Sequence, residues 1–341
     1  MVGAGLFLAG LLVLAMGCRT PSRVPRAKEV WRGVHVPVFS DSQLARLQSE
    51  LPGLAVIGVN VLVVQVDYHF DFRSHPELRA KGEFITRDQA RAFAAAARKL
   101  GIRVIPELDC LGHQSLAGTT WPLLAKYPQF DETLGQFPGN KGIYCRSWCP
   151  QSPGLNQIVD ALIDELVDAF WADAFHVGMD EVFFIANEHC PRCHGEDPAI
   201  LFAKAVSDLH HHIVDERQLT MLMWGDRLLD AKTMGYGRWE SAENGTAPAV
   251  DLIPKDIIIC DWHYVAQTNY PSIPILLKKG FRVWPSGFKS LEAAKALSQF
   301  SLEQRQDNPR LIGYLCTTWS KSQTVDFATW PPIAEILPKW K

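Results

Sequence analysis

One short stretch is central to the pattern of the whole chain: Asp173-Ala174-Phe175-His176-Val177-Gly178-Met179-Asp180-Glu181-Val182-Phe183-Phe184. Its apolar first half is typical of a buried β-strand, and it ends in a glycine and two adjacent carboxylates. Because buried charges need partners or altered pKa values, we expect Asp180 and Glu181 to lie where the strand gives way to a loop. Barrel enzymes keep their catalytic acids at such strand ends.

Short apolar runs alternate with amphipathic stretches on both sides of this segment. The predicted strands are 32–38, 59–66, 102–107, 173–178, 220–224, 256–261, 281–284 and 311–316, and the predicted helices lie near 41–50, 87–100, 154–170, 198–217, 228–233, 271–279, 289–306 and 324–337. Eight β units followed by helices predict an α/β fold, a (β/α)8 TIM barrel that forms a single catalytic domain over residues 31–341. A doubly wound open sheet is the alternative, but no Gly-x-Gly-x-x-Gly fingerprint follows the first strand.

The N-terminal residues 1–18 have the pattern of an export signal. Met1 to Gly17 carries no charged side chain and is rich in Leu, Ala, Gly and Val. It is followed by Cys18 in a context that resembles a bacterial lipobox, in which Cys18 would carry a lipid anchor. Residues 19–30 are polar with two prolines, which is typical of a tether. We therefore expect an exported protein, either a cell-envelope lipoprotein or a periplasmic one, with an uncleaved N-terminal anchor as the alternative.

Acidic and aromatic residues follow most of the predicted strands. They are Asp67-Tyr68-His69, Glu107-Leu108-Asp109, Asp180-Glu181, Trp224-Gly225-Asp226, Asp261-Trp262-His263-Tyr264, Trp284-Pro285-Ser286 and Thr317-Thr318-Trp319. Strand ends of a barrel converge on one face, so these side chains should line one pocket. Indole rings pack on the C–H faces of sugars while carboxylates bind hydroxyl groups, so the pattern favours a carbohydrate site over a tryptophan-rich core. A net charge of −3 without a basic stripe argues against a nucleic-acid partner.

Three segments resemble motifs of glycoside hydrolase family 20, the β-N-acetylhexosaminidases. His176-Val177-Gly178-Met179-Asp180-Glu181 resembles the signature His-x-Gly-x-Asp-Glu. Val104-Ile105-Pro106-Glu107-Leu108-Asp109-Cys110-Leu111-Gly112-His113 resembles Val-Ile-Pro-Glu-x-Asp-x-Pro-Gly-His, with Leu111 in place of proline, and Trp31-Arg32-Gly33 resembles the first-strand Arg-Gly. The similarity runs from about Trp31 to the end of the chain and is closest to the single-domain, hexosaminidase D-like branch.

The resemblance implies removal of a terminal β-linked N-acetylhexosamine, either N-acetylglucosamine or N-acetylgalactosamine, by a retaining and substrate-assisted mechanism. In such a mechanism Glu181 is the general acid and base, and Asp180 orients the 2-acetamido group that acts as the nucleophile. The implied substrate-binding residues are Arg32, His113, His176, Trp224, Trp262, Tyr264 and Trp319. Among them Arg32 would bind outer hydroxyls and Tyr264 would donate to the acetamido oxygen. No cofactor is expected.

Two departures from the family pattern keep other functions open. Lys321 stands where many members have a glutamate, and His35-Val36-Pro37 lacks the aspartate common after Arg-Gly. A barrel that binds carbohydrate without catalysis is therefore one alternative. A metal-dependent, amidohydrolase-like barrel is the other, with the ligands His69, Asp109, His113, His176 and Asp180.

Four cysteines outside the strands form a separate group. Cys145, Cys149, Cys190 and Cys193 are consistent with a disulfide set, a tetrahedral zinc site or free thiols. Cys190-Pro191-Arg192-Cys193-His194 also matches the short pattern of c-type haem attachment.

Overall fold

The structure is a computed structural model that describes Met1 and residues 29–341, apart from the side chain of Ser320. The predicted export segment, most of the tether and the proposed lipid site at Cys18 lie outside the described residues.

Eight parallel strands close into a barrel, which confirms the predicted (β/α)8 fold. They are β1 Trp31–Pro37, β2 Val61–Gln65, β3 Arg103–Cys110, β6 Ala174–Gly178, β7 Thr220–Trp224, β8 Ile258–Trp262, β9 Arg282–Gly287 and β10 Gly313–Thr317. The order around the barrel is β1-β10-β9-β8-β7-β6-β3-β2, and a small hairpin of β4 Ser115–Leu116 and β5 Thr119–Thr120 lies after β3. All eight predicted strands overlap an observed one.

The helices lie around the barrel and on the loops above it. They are α1 Asp41–Val56, α2 Arg87–Lys99, α3 Pro122–Lys126, α4 Leu155–Phe170, α5 Pro198–His210, α6 Ala231–Met234, α7 Gly237–Glu240, α8 Ser272–Lys278, α9 Leu291–Asp307 and α10 Pro331–Ala334. Their starts follow local chemistry, as at α2, where Thr86 and Gln89 form a capping box. The helix predicted over 324–337 is wrong except for α10. Asp326 instead accepts the backbone N–H of Ala328 in a turn, and α10 begins only at Pro331.

Strand side chains alternate between two apolar layers. In β1, Val34 and Val36 point outward to the helices, whereas Trp31 packs inside the barrel with residues such as Val63 and Trp284. Gly33 also faces inward, because a β-carbon there would lie 2.1 Å from the Trp284 ring. The barrel interior is therefore filled with side chains, so a ligand of the barrel is expected at the carboxyl ends of the strands.

Within residues 29–341, no helix combines the length and the apolar composition needed to cross a membrane.

Candidate active site

The segment after β6 is a strained turn that presents the two carboxylates. Gly178, Met179 and Glu181 all have positive φ, at 64°, 75° and 49°. Two constraints require glycine at position 178. Its positive φ disfavours residues with side chains, and a β-carbon there would lie 2.4 Å from Asp109 Oδ1. Positive φ at two residues with side chains costs free energy that the surrounding contacts must offset. Such strain at a strand end is typical of a functional turn.

Asp226, at the end of β7, fixes the backbone of this turn. Its Oδ2 accepts the backbone N–H of Glu181 at 2.9 Å and the Nε–H of Arg227 at 2.6 Å. Its Oδ1 accepts the indole N–H of Trp262 at 3.3 Å. Burial raises the pKa of the Asp226 carboxyl to about 6, and Arg227 limits the rise. The sequence marked this strand end but did not single out Asp226, because its role depends on contacts between three strands.

His113 lies between the two carboxylates. Its Nε2 is 3.3 Å from Asp180 Oδ2 and 3.2 Å from Glu181 Oε2. Burial lowers the pKa of His113, but the charge of Asp180 and the hydrogen bonds to both acids outweigh burial and hold the pKa well above its usual range. His113 therefore lies beside Asp180 and Glu181, as the sequence predicted. Its imidazolium offsets the charge of these two carboxylates.

The segment that carries His113 interlocks with the turn after β6. A β-carbon on Gly112 would lie 2.6 Å from the backbone oxygen of Asp180, so the two backbone segments are in close contact there. Leu111 has φ at 66°, a value that proline cannot adopt because its ring holds φ near about −65°. Leucine in place of the family's proline therefore agrees with the local backbone of this chain.

Asp180 has one oxygen available for a ligand. The residue is 7% exposed, and its Oδ1 is buried without a hydrogen-bond partner among the described residues. An unpaired buried oxygen is costly, so the site is incomplete without a donor.

Tyr264 and Trp319 lie beside the carboxylates. The indole N–H of Trp319 donates to the Tyr264 hydroxyl at 2.7 Å. Burial raises the pKa of Tyr264 well above its usual range, and the charge of Asp180 acts in the same direction, so the hydroxyl keeps its proton. Because an indole N–H only donates, the Tyr264 oxygen accepts in this contact and can offer its own proton to a ligand.

The predicted aromatic residues come together, but not all of them reach the surface of the pocket. Trp319 and Tyr264 are partly exposed, and Trp262 lies 4.9 Å from Tyr264 between ring centres. Trp224 is fully buried beneath Trp319, with 5.6 Å between ring centres, and its indole N–H donates to Glu107 at 3.1 Å. Trp224 is therefore placed to support the wall from below.

His176 belongs to a buried polar layer under the site. Glu107 lies 3.1 Å from His176 Nδ1 and 2.7 Å from His35 Nε2, and all three side chains are fully buried. Burial raises the pKa of Glu107, but His176 and His35 offset it and hold the pKa well below its usual range. The structure thus places His176 to support the floor of the site, away from direct contact with a ligand.

Two more aspartates lie at this level, Asp67 and Asp109, which the sequence placed at strand ends without assigning them a role in the hydrolase. Gln65 donates to Asp67 at 3.0 Å and to Asp109 at 2.8 Å, and the backbone N–H of Asp109 donates to Asp67 at 2.9 Å. Burial raises the pKa of Asp67 to about 7, and burial with the nearby Asp67 and Asp180 raises that of Asp109 well above its usual range. Their position directly after β2 and at the end of β3 was the available signal.

An aromatic rim that the sequence did not reveal borders Glu181. Tyr144 and Trp239 pack edge to face at 5.0 Å, and Phe183 lies 5.3 Å from Trp239. Tyr144 is 40% and Trp239 is 43% exposed, so both are open to solvent. Burial and the charge of Glu181 raise the pKa of Tyr144 to about 12, which keeps it protonated.

Arg32 is placed away from this site, contrary to its predicted role. It is the second residue of β1, at the amino end of the barrel, and shares the outward face of Val34 and Val36. Its guanidinium donates to the backbone oxygens of Gly58 and Trp340. The structure therefore does not bring Arg32 together with Asp180 and Glu181. Lys321, the other departure, has an exposed side chain.

The alternative metal set is not assembled in the described part of the chain. Of its five residues, His113 and Asp180 share a group of potential ligands with Glu181, and neither group of three or more ligands in the described residues contains His69, Asp109 or His176. His69 stacks on Phe39 at 4.7 Å, and His176 contacts Glu107.

The four-cysteine group predicted from sequence needs a correction. All seven described cysteines are unpaired, and Cys145 donates to the backbone oxygen of Glu181 at 3.4 Å. Cys149, Cys190 and Cys193 do lie together, and the fourth member is Glu132. Cys190 and Cys193 are both buried in this group, which does not suit attachment of haem.

Comparison with known proteins adds a family match. The profile of glycosyl hydrolase family 20, catalytic domain, matches residues 48–334, a range that omits Arg32 and the rest of β1. A beta-hexosaminidase of Vibrio furnissii is 27% identical over 182 residues, which cover 53% of this chain and 27% of that protein. A beta-hexosaminidase of Emericella nidulans is 27% identical over 264 residues, which cover 70% of this chain and 39% of that protein. The chain thus spans only about a quarter to two fifths of the length of these relatives.

Solved structures share the fold. The chitobiase of Flavobacterium johnsoniae superimposes with a TM-score of 0.67 at 20% identity, over 92% of this chain and 48% of that one. Dispersin B superimposes with a TM-score of 0.54 at 16% identity, over 91% of this chain and 99% of that one. The barrel therefore corresponds to a complete unit in at least one solved protein.

Proposed function

This chain belongs to glycoside hydrolase family 20, and on that premise we propose that it hydrolyses the bond of a terminal β-linked N-acetylhexosamine with retention of configuration. Asp180 and Glu181 carry the reaction in this proposal, and the sugar's own 2-acetamido oxygen is the nucleophile.

The single observation that carries the proposal is the unpaired Oδ1 of Asp180 beside a protonated Tyr264. An acetamido group offers one N–H donor and one carbonyl acceptor. Asp180 accepts the N–H, and the Tyr264 hydroxyl donates to the carbonyl oxygen, so both ends of the group are held. Fixing an internal nucleophile in this way replaces a bimolecular encounter and lowers the barrier by several kcal/mol, about 7–11 at best.

In the first step the acetamido oxygen forms a bond to the anomeric carbon as the glycosidic C–O bond breaks. Glu181 gives its proton to the departing oxygen, which leaves as a neutral alcohol. The resulting oxazolinium ring is positively charged at the acetamido nitrogen, next to the Asp180 carboxylate. Asp180 therefore interacts more strongly with the intermediate than with the substrate, which is the condition for catalysis.

In the second step water attacks the anomeric carbon and opens the ring. Glu181, now a carboxylate, takes the proton from that water and returns to its starting state. Two inversions at one carbon give retention. The backbone hydrogen bond from Glu181 to Asp226 keeps the carboxyl group in place through both steps.

A panel of aryl glycosides tests this function. We expect release of the chromophore from aryl β-N-acetylglucosaminide or β-N-acetylgalactosaminide in the presence of a chelator, and loss of release in Glu181→Gln. The matching aryl β-glucoside, which lacks the acetamido group, should be a poor substrate. Tight sugar binding without turnover would favour the binding barrel, and loss of activity with chelator would favour the metal enzyme.

We also propose, from the N-terminal sequence alone, that the chain is exported and carries a lipid at Cys18. The mass of the mature N-terminal peptide tests this. A peptide that begins at a modified Cys18 supports the proposal, and an intact Met1 contradicts it.

A further inference from the structure

A second cluster of metal-ligating side chains lies beside the active site. Glu132, Cys149, Cys190 and Cys193 each offer a ligand atom, and these atoms all lie within 4.8 Å of one another. All four side chains are buried, with at most 1% exposure. Sγ of Cys193 is 3.0 and 3.2 Å from the two carboxylate oxygens of Glu132.

We propose that these four side chains bind one zinc ion in a closed tetrahedral site. Zinc prefers sulfur ligands at about 2.3 Å and carboxylate oxygens at about 2.0–2.2 Å, which places neighbouring ligand atoms roughly 3.5–3.8 Å apart. The observed spread needs only small side-chain movements to reach that geometry. Four protein ligands leave no open position, so the site is structural and lies beyond the proposed hydrolysis.

Charge is the first argument for a cation. Asp131 pairs with Arg146 at 2.5 Å, whereas its neighbour Glu132 has no Lys or Arg partner among the described residues. Glu132 accepts the backbone N–H of Asn187, at 2.7 Å, and the thiol of Cys193. A buried carboxylate without a compensating charge is costly. A divalent cation held by Glu132 and the three sulfurs removes that cost.

The local backbone is the second argument. Cys190 and Cys193 have the Cys-x-x-Cys spacing of zinc-binding turns. The backbone amides of Arg192 and Cys193 are hydrogen-bonded to the Cys190 sulfur, and that of Gln151 is hydrogen-bonded to the Cys149 sulfur. The turn therefore brings both of its sulfurs within 4.8 Å of the Cys149 sulfur and of a Glu132 oxygen.

The arrangement fits a metal better than a disulfide. Three thiols can form one disulfide, which would leave the third thiol and the Glu132 carboxylate buried together without a partner charge. In the structure all three thiols are unpaired, and their sulfurs lie within 4.8 Å of one another and of a Glu132 oxygen.

The site would join the two loops that border the catalytic residues. Glu132 and Cys149 flank the segment that carries Tyr144, and the Cys190–Cys193 turn follows the segment that carries Glu181 and Phe183. Zinc would cross-link these loops. Its loss should therefore lower stability strongly and affect turnover through a looser rim.

Metal analysis of the full-length protein, purified without added metal and dialysed, tests the proposal. We expect about one zinc per chain in the wild type and in Cys145→Ser, and less than about a tenth of that in Cys193→Ser. Cys145→Ser is the matched control, because Cys145 is a buried cysteine four residues before Cys149 that does not belong to the group. Zinc retained in full by Cys193→Ser would overturn the proposal.

If Cys193→Ser does not fold, measurements on the wild-type protein alone test the zinc site. Removal of zinc by a strong chelator should lower Tm, and equimolar zinc should restore it. Cobalt in the same site should give the intense visible absorption of tetrahedral cobalt thiolate. Absence of zinc, together with a disulfide between two of Cys149, Cys190 and Cys193 in unreduced peptides, would overturn the proposal.

Discussion

Two clusters of ionisable side chains lie on the segments that follow β3 and β6, and they differ in how the charge of their carboxylates is compensated. Asp180 and Glu181 have a protonated histidine between them, since His113 contacts both and its pKa is held well above its usual range. In the second group the Arg192 side chain is hydrogen-bonded to the Cys149 sulfur, but the Glu132 carboxylate has no Lys or Arg salt-bridge partner among the described residues. Because His113 supplies a positive charge in the first group, its carboxylates can take part in proton transfer. Because no side chain supplies a positive charge to the Glu132 carboxylate in the second group, we expect a metal ion there.

The largest effect should come from removing the proton carrier of the first group. Glu181→Gln should lower kcat by about 10³-fold or more, because general acid–base help is worth about 10²–10⁴-fold and acts in both steps. Substrate KM and zinc content should change little. The measurement is the rate of chromophore release from an aryl β-N-acetylhexosaminide, with Tm recorded on the same preparation.

Glu132→Gln is the matched control in the second group. It should lower zinc content and Tm by several degrees while kcat at low temperature stays within a few-fold of wild type. If Glu181→Gln kept its activity, or if Glu132→Gln lost activity without losing metal, the division of roles between the two groups would be wrong.

The next effect concerns the unpaired oxygen in the first group. Asp180→Asn should lower kcat by about 10²–10³-fold with a smaller change in KM, because the lost charge stabilises the oxazolinium intermediate more than the substrate. The comparison of substrates with and without the acetamido group gives the test. An equal loss on both would contradict the role given to Asp180.

A third group also has a histidine that compensates the charge of two carboxylates, and its contribution to stability should depend on pH. His263 lies 2.7 Å from Glu240 and 3.3 Å from Asp261, and Glu240 also accepts the backbone N–H of Tyr264 at 3.1 Å. Burial lowers the pKa of His263, but the charges of Asp261 and Glu240 raise it to about 9.

A folded-state pKa above the unfolded value of about 6.5 means that this contribution is fully present below pH 6.5 and is lost as pH rises through 9. A difference of this size in pKa corresponds to a contribution on the order of 3 kcal/mol. The free energy of unfolding should therefore fall across this window in the wild type, and the slope should be shallower in His263→Gln. Equal slopes would show that His263 does not carry a proton in the folded state.

The smallest effect is expected at the opposite end of the barrel. Arg32→Gln should leave kcat and KM within about twofold, because its guanidinium is bound to backbone oxygens far from Asp180, and stability should fall by about 1 kcal/mol. A large rise in KM with unchanged stability would instead restore the role that the sequence motif suggested.

Arg32 also shows why the sequence predicted some features and not others. The eight strands and the Asp180-Glu181 turn were predictable, because buried runs that end in acidic residues are a local signal. The direction in which each side chain of a parallel barrel strand points was not predictable. Both faces of β1 are buried, so its sequence shows no alternation of polar and apolar residues that would distinguish them. A two-residue Arg-Gly match could not decide which way the arginine points.

The metal ligands and the support of the acids are similarly non-local. Cys-x-x-Cys at 190–193 was visible, but Glu132 is far from it in sequence, and no spacing rule identifies a carboxylate as the fourth ligand. Asp226 became visible only when β7 was placed beside β6. Local pattern therefore predicted the strands and the acid pair, whereas the contacts that position the pair required the fold.

The most direct test of the central claim is the configuration of the sugar at the moment of release. Proton NMR during hydrolysis of an aryl β-N-acetylhexosaminide by the wild type should show the β-anomer first, with the α-anomer appearing later by mutarotation. That result is required if the acetamido oxygen attacks first and water second. The α-anomer as first product would mean a single displacement by water and would contradict the mechanism.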